Sequence, residues 1–560
     1  MRKRILSVIT AAVLTAAVCA YARAPVYAAA EEFPAAENSP AAEYPPATVT
    51  DPMIRVGLFY GSAAVPGANL QNQTGLGYRV GFLDSSGTFI QLFAYNGNKI
   101  SMVKNRNVFW DGSQYQDSAQ GVMVGAYHAD MGVQYADVYS AQADADARRA
   151  AGQAAFVCFT GGAFRVRAGS FASQAETQNA VSGSQYCITV VESGTNNILF
   201  QFDPGSASTP LVVWPSLGEV ERPVTHFRGN TYAGMFEYRR ADGNNITVVN
   251  RLSMKDYIKG INEMPASWHM EALKAQALCA KSYAHSNLGR HASSGFDLCP
   301  NQHCQVYRGT VTERESTNSA ADAVEGLYIL HNGKPISAVY HSSNGGHTED
   351  SENVWTQNSP YLRGVPDPYE DLSSAMNGRW QYTLTNETLT SIMNSQGYSG
   401  RVTGLAAEYT ASGNVALLRF TFDNGQVRTF SKESARTILN TASKTYTFSQ
   451  RFTVSSGSLM LSVAGPDGVT STADAGSLQI LGPDGQISYV SATSHIIGAN
   501  GESARIQQTQ SSGVYVISGT GWGHNVGMSQ NGARGMAERG FGCFEIVKHY
   551  FTGVEVGYLG

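Results

Sequence analysis

The sequence predicts an α+β, multi-domain protein: a β-rich body carrying a βαββαβ insertion. Three observations predict it. Short apolar runs such as Phe89-Ile90-Gln91-Leu92-Phe93 recur between clusters of Gly, Asn, Asp and Ser, the mark of strands and hairpins. Helical character is confined to a few segments, near 140–151, 173–181, 267–286, 317–325 and 533–551. A chain of 560 residues also exceeds what a single core serves, so several domains are expected.

Taken in order, Arg2, Lys3 and Arg4 precede an apolar run from Ile5 to about Tyr21, and Ala28-Ala29-Ala30 offers a cleavage site. Residues 1–30 therefore read as a secretory signal peptide, with an uncleaved anchor as the alternative because the run approaches bilayer length. Residues 31–50, rich in Ala, Pro and Glu, form a linker. No later run is long and apolar enough to span, so membrane contact is expected only through the N-terminus and the remainder is expected outside the cytoplasm. The net charge of −5, without a basic cluster, argues against nucleic acid as a partner. Beyond the signal stand Cys158, Cys187, Cys279, Cys299, Cys304 and Cys543, an even set that permits disulfides but is too sparse to staple a scaffold.

An N-terminal β segment is expected over 51–120, opening with Ile54-Arg55-Val56-Gly57-Leu58-Phe59. Over 121–205 the pattern is strand, helix near 140–151, strands at 155–159 and 164–168, helix near 173–181, and strand at 186–191, a ferredoxin-like order. Residues 220–370 begin as strands and continue as mixed α/β. Residues 371–518 are β-rich, with hairpin turns at Asp423-Asn424-Gly425, Pro466-Asp467-Gly468 and Pro483-Asp484-Gly485. Residues 519–560 are glycine-rich, then helical.

Glu263 is the leading candidate for chemistry. It stands just ahead of a helix, because Pro265 cannot extend a helix backwards and Ser267 is a good N-cap; Leu273, Ala277, Ala280 and Ala284 form that helix's apolar stripe. Burial against Met264 and Trp268 would penalise the charged carboxylate and raise its pKa into the range of a general acid. An ordinary solvated carboxylate at a helix start is the alternative. Cys299, His303 and Cys304 gather soft donors in one tight turn, with His291 the nearest upstream fourth; zinc, a Cys299–Cys304 disulfide and free thiols all fit. The Gly519–Ala533 stretch is not a phosphate loop, since no Gly-Lys-Ser/Thr follows.

From Tyr257 to Tyr283, with Glu263-Met264-Pro265 inside it, the chain resembles the SpoIID/LytB family. The loop Ser342-Ser343-Asn344-Gly345-Gly346 with Trp355, and the stretch Gly519–Ala533, resemble its further motifs. The resemblance covers Ile54–Phe59, about 227–369 and 519–556, and implies a β-rich SpoIID-type core. It implies a lytic transglycosylase that cleaves denuded peptidoglycan glycan strands, with Glu263 as sole acid/base. The muramic acid's own 6-hydroxyl closes onto the anomeric carbon, so the second carboxyl of ordinary glycosidases is not needed. Ser342, Ser343, Asn344, Gly345, Gly346, Trp355, His524, Ser529 and Gln530 are implied to bind substrate or shape the cleft, with His524 more a positioning than a catalytic group. A closed, structural zinc site is implied at His291, Cys299, His303 and Cys304. The LytB branch implies an alternative, a non-catalytic wall-binding modifier of an N-acetylmuramoyl-L-alanine amidase. Phe164-Arg165-Val166-Arg167-Ala168-Gly169-Ser170-Phe171 resembles the SPOR domain, a peptidoglycan-binding module. Departures from the family pattern are a shorter loop before Glu263, His269 in place of a frequent proline, Asn525 for a usual glycine and Asn531 for a usual aromatic.

Overall fold

The computed structural model describes residues 52–215, 222–240, 245–261, 263–440, 446–456 and 513–559, with the backbone of six short strands between 460 and 505. The expected signal peptide and linker lie outside the described residues. The chain is mixed α/β and strand-rich, built on several sheets. A six-stranded antiparallel sheet runs Met53–Phe59, Thr247–Ser253, Met235–Arg239, Leu211–Pro215, Tyr78–Leu83, Phe89–Tyr95. Ile54 and Val56 alternate into its core while Arg55 points away to Asp297, the period-two pattern that the sequence carries.

A ten-stranded sheet runs Ala180–Ser182, Tyr127–Tyr135, Ala163–Phe171, Ala155–Thr160, Ile198–Asp203, Ile188–Glu192, Lys99–Lys104, Gly67–Asn72, Val224–Phe227, Asn230–Ala233. The expected strands of the 121–205 segment thus share a sheet with their flanks. Helix α1 (Val138–Ala150) lies where expected, capped by Asp137 accepting from the Ser140 amide. The second helix of the βαββαβ order is absent: a 3-10 turn, Gln174–Glu176, and the short strand Ala180–Ser182 replace it. The local signal was a true capping box, Ser173 with Glu176, but the turn buries no side chain and Asn179 takes φ +52°. A helix start without an apolar face to bury does not propagate.

Past the sheets come α2 (Met254–Lys259), α3 (Met270–Ser286), α4 (Glu315–Ala323) and α5 (Ser351–Val354). The expected stripe on α3 understates its burial. Every residue but Lys274 from Ala272 through Ala284 is buried, and α4, the strand Leu327–His331 and two C-terminal helices surround it. Its many alanines permit that close approach, and a helix so enclosed makes a rigid axis for whatever its ends carry. The cap of α3 is His269, not Ser267: Pro265 O accepts the Trp268 amide in a preceding turn, and His269 Nδ1 accepts the Glu271 amide at 3.3 Å.

The 371–518 segment is β-rich as expected but also holds α6 (Asn386–Ser395) and α7 (Glu433–Thr437). Arg379–Thr385, Val514–Thr520 and Phe452–Ser456 form one sheet, and Val402–Tyr409, Val415–Phe422 and Val427–Ser431 another. Their core, with Leu389, Met393, Phe420 and Ile517, is separate from the main one. The Asp423-Asn424-Gly425 turn joins paired strands. The turns at 466–468 and 483–485 lie outside the described residues; the strands flanking each pair antiparallel. The expected C-terminal helix is two, α8 (Gln530–Glu538) and α9 (Cys543–Tyr550), parted at Gly540, whose φ is +92°. Among the described residues no helix is long and apolar enough to cross a membrane.

Candidate active site

Glu263 sits in the connection between α2 and α3. Gly260 allows it: a side chain there would meet the Tyr307 ring at 2.5 Å, so only glycine lets α2 end against that ring. The Glu263 carboxyl turns inward. Its Oε1 accepts from the Val306 amide at 3.1 Å and from the Tyr340 hydroxyl at 3.1 Å. Burial pushes the carboxyl above its ordinary 4.5, while those two hydrogen bonds favour the ionised form and pull the other way. The elevation expected from the sequence is present, but the residues that hold the acid are not the ones expected. Val306 and Tyr340 are joined by Gln305, whose Nε2 donates to Tyr340 Oη at 3.2 Å and whose Oε1 accepts from Tyr257 Oη at 3.0 Å. The sequence did carry a pointer to these residues: Gln305-Val306 directly follows Cys304, and Tyr340 directly precedes the His341–Gly346 motif.

Tyr340 also ties the acid to the glycine-rich stretch. His524 Nε2 donates to Tyr340 O at 3.0 Å, and its Nδ1 accepts the Val526 amide at 3.1 Å. A carbonyl can only accept and an amide can only donate, so the tautomer is fixed and both ring nitrogens are committed. Burial lowers the imidazole to about 4, which keeps it neutral. His524 is built to position Tyr340, and Trp355 packs on it with ring centroids 5.0 Å apart. The usual glycine after this histidine is Asn525, and it holds φ +63°, the left-handed conformation that glycine adopts freely and asparagine tolerates.

The remaining expected sugar-facing groups divide. Ser343, Asn344, Ser529 and Gln530 are buried. Asn344 Nδ2 donates to Asp367 Oδ2 at 2.6 Å, and the Asn344 and Gly345 amides donate to Glu370 at 3.2 and 2.7 Å. Ser343 pairs its backbone with Trp522. Ser529 Oγ caps α8 by accepting from the Gly532 amide and donates to Glu370 at 3.1 Å. Gln530 reaches Gln276 on α3. These four residues are enclosed within the protein. Ser342, Gly345, Gly346, Trp355 and His524 keep partial or full exposure. Glu370 is the hub that sequence reasoning missed; burial raises its carboxyl to about 6.

His291, Cys299, His303 and Cys304 converge, their donor atoms all within 4.8 Å of one another, and both cysteines are free thiols. Cys304 Sγ lies 3.4 Å from His291 Nε2 and 3.6 Å from His303 Nδ1, and Cys299 Sγ lies 3.5 Å from His303 Nδ1. A tetrahedron with metal–sulfur arms of about 2.3 Å and metal–nitrogen arms of about 2.05 Å has a sulfur–nitrogen edge of about 3.6 Å. The donor set therefore fits zinc. The loop is docked on the first strand, where Asp297 takes both Arg55 Nη2 at 2.9 Å and the Arg55 amide at 2.9 Å.

Residues 242–331 match the SpoIID family model, described as stage II sporulation protein, and this span contains α2, Glu263, α3 and the Cys/His cluster. The chain thus carries a SpoIID-type domain and is similar to SpoIID/LytB proteins. It is 28% identical over 307 residues to the amidase enhancer of Bacillus subtilis strain 168, covering 53% of this chain and 40% of that protein. Against the stage II sporulation protein D of the same organism the identity is 24% over 325 residues, 55% of this chain and 75% of the relative. An uncharacterized protein of Brachyspira hyodysenteriae is 39% identical over 121 residues, 21% of this chain and 33% of that one. The chain thus spans less than half the length of the amidase enhancer and of the Brachyspira protein.

Proposed function

We propose that this protein is an exported lytic transglycosylase that cleaves denuded peptidoglycan strands. What supports this reading is the Glu263 carboxyl: raised by burial, gripped through one oxygen, at the position of the family's acid. Neutral Glu263 gives its proton to the bridging oxygen as the anomeric carbon–oxygen bond breaks. The carboxylate so formed takes the proton of the muramic 6-hydroxyl as that oxygen bonds to the anomeric carbon. Glu263 is neutral again, and the product carries a 1,6-anhydromuramic end. Trp355, Ser342, Gly345, Gly346 and His524 would border the sugar.

The same reading has zinc at His291, Cys299, His303 and Cys304; with four protein ligands it supplies a cross-link and leaves no position for an activated water. Sporulation and cell-wall relatives favour a location outside the cytoplasm or at the membrane. The 121–205 segment would bind glycan in the manner of a SPOR module. One observation favours a second reading, a non-catalytic partner of an amidase: the 28% identity to a protein named amidase enhancer.

Digestion of amidase-treated peptidoglycan, followed by mass spectrometry of the ends, separates the two. Native protein is expected to yield 1,6-anhydromuramic ends and Glu263→Gln none, while glycan pull-down survives in both. Native protein that yields no such ends leaves the amidase-partner reading.

A further inference from the structure

Gln305 lies outside every motif yet touches both hydroxyls near Glu263, and its orientation can be deduced. Its Nε2 also donates to Ala280 O, in the middle of α3, at 3.3 Å. A backbone carbonyl has no proton to give, so the amide cannot be turned over without setting oxygen against oxygen. With Nε2 fixed, Oε1 must accept from Tyr257. Tyr340 Oη must accept from Nε2, which leaves its own proton to be donated to Glu263 Oε1. Val306 adds a second donor on the same oxygen.

We propose that Gln305 is a positioning residue that fixes the direction of the Tyr257–Gln305–Tyr340–Glu263 chain and thereby assigns the transferable proton to Glu263 Oε2. In a neutral carboxyl the carbonyl oxygen accepts well and the hydroxyl oxygen poorly. Two donors on Oε1 make it the carbonyl oxygen, and the acidic hydrogen is left on Oε2. The reference point is the Ala280 carbonyl of a deeply buried helix, so the direction is built into the fold. This inference rests on the transglycosylase reading only for its use in catalysis; the direction itself stands on hydrogen bonds.

The test is infrared difference spectroscopy on full-length protein with 13C-labelled glutamate, titrated with pH, with Glu263→Gln identifying the band. Tyr340→Phe removes one donor from Oε1. The neutral Glu263 carbonyl band is then expected to rise in frequency and its half-ionisation pH to rise by about one unit. Gln305→Leu leaves Tyr340 in place but frees its hydroxyl, and is expected to move band and midpoint the same way by a smaller amount. Gln305→Leu with both unchanged, in protein whose circular dichroism and melting match native, overturns the proposal. So does a Tyr340→Phe midpoint that falls. If Gln305→Leu does not fold, Tyr257→Phe, which removes only the far donor, serves instead: a shifted band supports the chain and an unmoved one overturns it. These shifts are read without substrate, so variants that show them while the native protein leaves denuded glycan uncut sink the transglycosylase reading alone.

Discussion

At the residue scale, Glu263 carries a pH signature that needs no substrate. Its folded pKa lies above the unfolded value of 4.5, so the folded state binds the proton more tightly. A carboxyl raised in this way contributes stability that is fully present below 4.5 and lost as pH rises through the folded value. The amide in Glu263→Gln cannot ionise, keeps the acceptor at Oε1 and matches the neutral acid in shape. Glu263→Gln is expected to melt close to native at pH 4 and above native at pH 8, as read by thermal denaturation at the two pH values. The acid was legible in the sequence because Glu-Met-Pro before a helix is a local pattern. Tyr340, Gln305 and Val306 were not, because 77, 42 and 43 positions of chain separate each from Glu263, and only the packed fold brings them together.

At the element scale, the C-terminal glycines let neighbouring groups come close to the backbone. A Cβ on Gly532 would sit 2.0 Å from Tyr550 Oη and 2.1 Å from Asp367 Oδ2, inside the hydrogen bond that those two groups share. That bond holds Asp367 under Asn344, and so holds the exposed Gly345-Gly346 bend. Gly532→Ala is expected to cost about 1–3 kcal/mol in a urea titration, because α8 must move away from its neighbours. Positions of α1, α3 and α4 were readable from periodicity and turn residues. The missing helix at 173–181 and the split between α8 and α9 were not, because capping and propensity are local while the decision to continue belongs to what the helix can bury.

At the scale of the whole molecule, the separate core of 384–452, 515 and 517 could be anticipated only as β-rich sequence. Its attachment is polar and specific. Arg451 donates to the carbonyls of Asn344, Ser412 and His347 at 2.9, 2.6 and 2.8 Å, and Glu349 accepts from Thr410 at 2.7 Å. The motif loop is thus clamped from outside the motif segments, by an arginine that no short pattern could mark. Arg451→Ala leaves three carbonyls without that donor, and is expected to lower the melting temperature and to expose the 344–347 backbone to faster amide hydrogen exchange.

Cys304, Gln305 and Val306 are consecutive, so the last sulfur of the Cys/His knot is covalently continuous with Val306, which grips Glu263, and with Gln305, which holds the other grip, Tyr340. Whatever slackens the knot is felt at the acid without any long-range rearrangement. If the knot holds zinc as proposed, stripping it with a chelator is expected to broaden the Glu263 carbonyl band before helix content falls, and oxidising the two thiols to one another is expected to do the same. The acidity of this protein would then answer to the thiol chemistry of its surroundings, a dial set by compartment and not by substrate.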